Sequence, residues 1–169
     1  MDLREKKTKR SIANAFLKLR SQKALERITV KELAALAEIS KATFYLHYKD
    51  IYDLSEQMQN EVIENILGNI AHPEYCISDS RAFTEELFDA FHADHSLIET
   101  LFSGSQNAVL PMRIEAKLRT FIRSQYPDMD KDAEMRLTYN IYGSYYVYQK
   151  YYKSTDMSEI IHVVCEAKI

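Results

Sequence analysis

Residues 29–54 read TVKELAALAEISKATFYLHYKDIYDL. The pattern predicts two short helices joined by a tight turn, followed by the start of a third. Thr29 with Glu32 three residues on is a capping box, in which the hydroxyl accepts a first-turn amide and the glutamate reaches back. Val30, Leu33, Ala34 and Ala37 then recur at helical spacing. Glu38 and Ile39 form the turn, and Ser40 is suited to cap the second helix. In that helix Phe44 and Tyr48 share one face, four residues apart, which marks them as core. Small alanines where two short helices cross steeply make this a helix-turn-helix, whose second helix suits a major groove.

Several residues carry a close resemblance to the DNA-binding head of the TetR family of transcriptional regulators. They are Thr29-Val30, Leu33-Ala34, the run Ile39-Ser40-Lys41-Ala42-Thr43-Phe44-Tyr45, then His47-Tyr48-Lys49-Asp50 with Asp53-Leu54. Ser40 to Asp50 is the specific part, and the motif covers about the first third of the chain. The resemblance implies that the positions of Thr43, Tyr45 and His47 touch backbone phosphates. Thr29, at a helix N-terminus, is placed to hold a phosphate, and Lys49 adds charge. Ser40, Lys41, Ala42 and Leu46 are the candidates for base edges: Lys41 can donate to guanine and Ala42 can meet a thymine methyl. The chain departs from the family pattern where glycine is usual, at Glu38 in the turn and near Ala24, and where lysine is usual, at Ile51. If Glu38 needs a positive φ, the cost is on the order of 1 kcal/mol.

Composition agrees with a helical protein. The 169 residues include three Gly and three Pro, and 46% are hydrophobic, enough for a sizeable core. No apolar run approaches the roughly 20 residues of a membrane helix. The charged start is unlike a secretory signal, and Cys76 and Cys165 do not suggest a disulfide framework. A cytoplasmic location is therefore expected. The net charge of −3 hides an asymmetry. Residues 1–50 carry twelve Lys or Arg against six Asp or Glu, and the remainder carries ten against nineteen. A basic head on an acidic body suits DNA binding by one end.

The expected architecture is all-α. Residues 1–52 form a three-helix DNA-binding head, and residues 53–169 a helical-bundle body for ligand binding and dimerisation. In the head, a first helix buries Ile12, Phe16 and Leu19, with Leu25 and Ile28 plugging the same small core. A long helix capped by Asp50 continues through Leu54, Met58, Val62 and Ile66 towards Gly68. Later helices are expected from Ser78 or Ser80, with Phe83, Leu87, Phe88 and Phe91 on the buried side, then around Ser96–Leu101, Gln106–Gln125, Asp130–Tyr152 and from Met157 onward.

The helix from Asp130 carries seven tyrosines. Leu137, Ile141, Tyr145, Tyr148 and Tyr152 form one stripe, and Tyr139, Tyr142 and Tyr146 another. A helix apolar on two sides contacts two things. The resemblance implies that the last two helices pair with those of a second subunit, a role tyrosine suits well. The stripe of Tyr139, Tyr142 and Tyr146 is a candidate ligand wall, with ordinary core packing as the competing reading.

The function these readings imply is a homodimeric, sequence-specific regulator of transcription. It would bind a palindromic double-stranded DNA operator and act as a repressor released by a small-molecule effector. The alternative is a TetR-like coactivator or adaptor whose body binds a protein partner. An enzyme is not expected: the chain has no Gly-rich phosphate loop, no Ser or Cys nucleophile with an evident base, and no convincing metal set. His92 and His95 are a poor metal pair without a third strong ligand. No cofactor is implied.

Overall fold

The computed structural model describes residues 3–128 and 130–166. Regular structure among them is entirely helical. It comprises α1 (Leu3–Arg20), α2 (Val30–Leu36), α3 (Lys41–Tyr45), α4 (Ile51–Asn69) and α5 (Tyr75–Ser78). The second half comprises α6 (Ser80–Ala93), α7 (His95–Leu101), α8 (Val109–Gln125), α9 (Lys131–Tyr151) and α10 (Met157–Glu166). Short 3-10 turns cover Leu25–Arg27 and Gly104–Gln106. No helix among the described residues is long and apolar enough to cross a membrane. The chain divides into two compact units. One runs up to Val62 and includes Ser96–Asn107; the other consists of Ile63–His95 and the residues from Ala108 onward.

In the first unit the expected apolar face of α1 is buried, with Ile12 and Phe16 fully enclosed. Leu25 and Ile28 fill the same core from the connector, together with Leu33, Phe44 and Leu54. Ile98, Leu101 and Phe102 also belong to this unit and are buried. Polar ties hold that later segment in place. The amide of Gln59 donates to the Leu101 carbonyl at 3.1 Å. The guanidinium of Arg20 donates to the Ser103 hydroxyl at 2.8 Å and to the Lys23 carbonyl at 3.0 Å. Arg20 is buried, and desolvation pushes its pKa below the usual guanidinium value against the opposing pull of Glu26.

Caps define the helices of the second unit. Asp79 accepts from the Ala82 amide at 3.0 Å, Asp130 from Ala133 at 2.7 Å and Asp156 from Ser158 at 2.8 Å. α8 begins at Val109, later than the periodicity suggests, because residues 104–106 wind as a 3-10 turn. Pro111 falls in its first turn, where no intrahelical amide is needed. α5 was not expected; it is one short turn in the segment after Pro73. The core gathers Phe83, Leu87, Phe88 and Phe91 from α6, Leu110, Ile114, Leu118 and Ile122 from α8, and Leu137, Ile141, Tyr145 and Tyr148 from α9.

Across α8 and α9 runs a charged clamp. Arg119 bonds Glu115 at 2.5 Å and Glu134 at 3.0 Å, Arg123 bonds Glu134, and the Thr138 hydroxyl donates to Glu115 at 2.5 Å. Burial opposes ionisation of Glu115, but Thr138 and Arg119 outweigh it and hold the carboxyl below its ordinary 4.5. Arg123 and Arg119 lower Glu134 in the same way. A carboxyl with a depressed folded pKa contributes stability above its unfolded pKa and loses it as pH falls through the folded value. The clamp therefore acts at neutral pH and fades on acidification below the ordinary carboxyl range. Glu115→Gln should lower stability by about 1 kcal/mol at pH 7. Urea titrations of variant and wild type should converge as pH falls through the depressed folded pKa of Glu115.

Candidate nucleic-acid interface

The candidate surface is built on α2, α3 and the start of α4. Thr29 caps α2, its hydroxyl accepting from the Glu32 amide at 3.3 Å. The other half of the expected capping box is absent. Lys23 Nζ takes the Glu32 carboxylate at 2.6 and 2.5 Å, so the glutamate does not reach back to Thr29. A charge-assisted bond outcompetes a backbone amide for the same oxygens. α2 buries Leu33 and Ala34 and ends at Ala37.

The turn has the double hydrogen bond of a Schellman motif: Ile39 N–H to the Ala34 carbonyl at 3.0 Å and Glu38 N–H to Ala35 at 3.3 Å. That motif places its C′ residue in the left-handed region, and Glu38 sits there with φ 56°. Ser11 of α1 fastens the turn by donating its hydroxyl to the Ala37 carbonyl at 2.9 Å. A lone serine on a helix gives no sequence signal for that bond.

Ser40 caps α3, accepting from the Thr43 amide at 3.0 Å. Its oxygen also lies 2.8 Å from the Thr43 hydroxyl, so the two side chains bond each other. α3 ends at Tyr45, short of the expected run through Tyr48, and along α3 and the turn after it the sides separate. Phe44 is fully buried and Tyr48 is 8% exposed, their rings 5.6 Å apart. Lys41, Ala42 and Lys49 are exposed, Tyr45 is 57% exposed and Leu46 is 82% exposed. Thr43 and His47 are half-buried. The Tyr45 ring stands edge-on to Phe44 at 5.5 Å.

Asp50 starts α4 by accepting from the Asp53 amide at 2.8 Å, and Asp53 reaches back to the Lys49 amide at 2.8 Å. Asp53 is held below its usual carboxyl range, first by the Gln57 side chain and then by the Lys49 amide. Its spacing from Asp50 is the signal for this reciprocal cap. Ile51, where the TetR pattern has lysine, is 5% exposed and belongs to the core.

The remaining candidates lie on α9. The stripe of Leu137, Ile141, Tyr145, Tyr148 and Tyr152 is largely buried inside its own unit: Tyr145 and Tyr148 pack against Phe91 at 5.9 and 5.5 Å, and Tyr148 is also 5.5 Å from Phe88. Tyr139 and Tyr146, read as ligand-wall candidates, are 47% and 42% exposed, and Tyr142 is half-buried. Tyr139 lines an open groove of about 340 Å³ with Asp132, Met135 and Arg136. On α10, Ile160 is buried, whereas Val163 is 57% exposed and Ile161, Val164 and Cys165 are partly so. Cys76, the other thiol, is buried, and desolvation raises its pKa to about 11, which leaves it unreactive.

No protein-family model matches the chain, and no curated protein matches it.

The strained turn gives a direct test of the local geometry. Glu38→Gly removes the left-handed penalty of about 1–2 kcal/mol, partly offset by the greater freedom of glycine in the unfolded chain. The net expectation is stabilisation by about 0.5–1 kcal/mol, measured as a higher denaturant midpoint with an unchanged helical spectrum.

Proposed function

We propose that the chain is a sequence-specific, DNA-binding regulator of transcription of the TetR type, acting as a homodimer. The observation that carries this reading is the division of α3. Phe44 and Tyr48 anchor it, while Lys41, Ala42, Tyr45 and Leu46 project outward from the basic end of the chain. An anchored short helix with a bare outer face is the arrangement a major groove requires. The phosphate side of the contact falls to Thr29, Thr43, Tyr45, His47 and Lys49, which surround that face in sequence, and base selection to Lys41, Ala42 and Leu46. Phosphate contacts position the protein and base contacts specify the sequence.

A second copy of the chain is the partner that best accounts for α9 and α10. Met135, Tyr139 and Tyr146 lie along the outer side of α9, and α10 leaves most of its apolar residues at least partly open. Tyrosine and methionine are enriched in the centres of such interfaces. Two heads related by a two-fold axis would require a palindromic operator, with half-sites about one helical turn apart or somewhat more.

Two experiments test these roles. In mobility shifts on a selected operator, Lys41→Ala should relax sequence preference. Lys49→Ala should weaken all sequences alike and reduce the salt slope by about one. Equal loss of specificity in both would overturn the division of roles. For the dimer, Tyr146→Glu and Val163→Glu alter exposed side chains, so the subunit should stay folded by circular dichroism. Light scattering should then report a monomer, and operator affinity should fall with the loss of avidity. Dimers of wild-type stability in both variants would place the interface elsewhere.

A further inference from the structure

The outer face of α3 and of the turn after it sets exposed hydrocarbon beside a few polar tips, those of Lys41 and Tyr45. The hydroxyls of Ser40 and Thr43 bond each other and Ser40 also accepts the capping amide, so the pair commits one of its two hydroxyl protons. The side chains of Ala42 and Leu46 are hydrocarbon, and both are exposed, Leu46 by 82%. They lie one turn apart on the same side, joined by the Leu46 N–H to Ala42 carbonyl bond of 3.1 Å. Among the outward residues of α3 before the half-buried His47, Lys41 is the one with a charged donor.

We infer that this face selects its half-site by thymine methyl groups, two of them met by Ala42 and Leu46. The inference rests on the DNA-binding reading above. In the major groove the hydrocarbon on an unmodified base edge is the C5-methyl of thymine; guanine, adenine and cytosine offer nitrogen and oxygen there. Leu46 against any of those edges would strip water from a polar group without replacing its hydrogen bond, which is penalised. Against thymine it buries apolar surface that is exposed in the free protein. The exposed leucine thus discriminates twice, by gain at thymine and by loss elsewhere. Side chains about 5–6 Å apart on one helix face span one to two base steps of about 3.4 Å. The two thymines are therefore neighbours or next neighbours along the half-site, with Lys41 adding one polar contact.

The test begins with duplexes selected from a random pool by the full-length protein. Each thymine of the selected half-site is then replaced by deoxyuridine, which removes the methyl and leaves base pairing intact. Two positions per half-site should each lose about fourfold in affinity, the worth of one buried methyl. Leu46→Ala should abolish the penalty at one of them and leave the other unchanged. The base replacement leaves the protein untouched, so folding does not enter the result. A selected site without thymine, or uracil duplexes bound as tightly as thymine ones, overturns methyl reading while leaving DNA binding intact. Failure to enrich any sequence overturns the DNA-binding reading itself, and methyl reading with it.

Discussion

The burial of Phe44 is the constraint on which the candidate surface depends. α3 is five residues long, far below the length at which a helix holds its own shape in water. Its direction is set instead by one fully enclosed ring, by Tyr48 one turn on, and by the Ser40 cap that starts it. The turn before it is fixed by two backbone bonds and by Ser11 from a different helix. With those points held, α3 cannot roll about its axis. The identity of its outward residues then becomes a fixed chemical surface, as any reading of a base edge demands. The strained backbone at Glu38 is tolerated because the surrounding bonds over-determine it.

Tyrosine has a double character that governs the second unit. α9 presents a tyrosine or another apolar residue on nearly every side, and such a helix has no preferred orientation by periodicity alone. Partners decide it. Phe88 and Phe91 of α6 take Tyr145 and Tyr148 into the core, and the opposite stripe is left outward. Burial raises the Tyr145 phenol above its ordinary pKa, and Gln149 donates to its oxygen at 2.6 Å. Among the described residues Gly143 has the Tyr139 ring as its near neighbour, so none of them demands a glycine there.

Charge is arranged differently in the two units. In the second, carboxylates and guanidinium groups meet directly in the clamp between α8 and α9. In the first, Arg20 is buried on carbonyl and hydroxyl oxygens, with Glu26 near enough to act through its field but bonded instead to Ser105 at 2.6 Å. The two terminal nitrogens of Arg20 meet neutral acceptors while Nε is left without one among the described residues, and those bonds hold residues 20–23 against Ser103 within one unit.

Local rules were enough for the helices, most of their caps and the burial of Phe44 and Tyr48, because each depends on residues within a turn or two. The positive φ of Glu38 was signalled by the TetR pattern, which has glycine in that turn, and was otherwise left open by the local sequence. Competition between distant groups was beyond the reach of the sequence. Glu32 turned to Lys23, Ile51 went inward, and Tyr145 and Tyr148 of one tyrosine stripe were taken into the core by Phe88 and Phe91. In each case several partners were chemically acceptable. Only the packing of the folded chain, which brings one of them within bonding distance and leaves the others out of reach, decided between them.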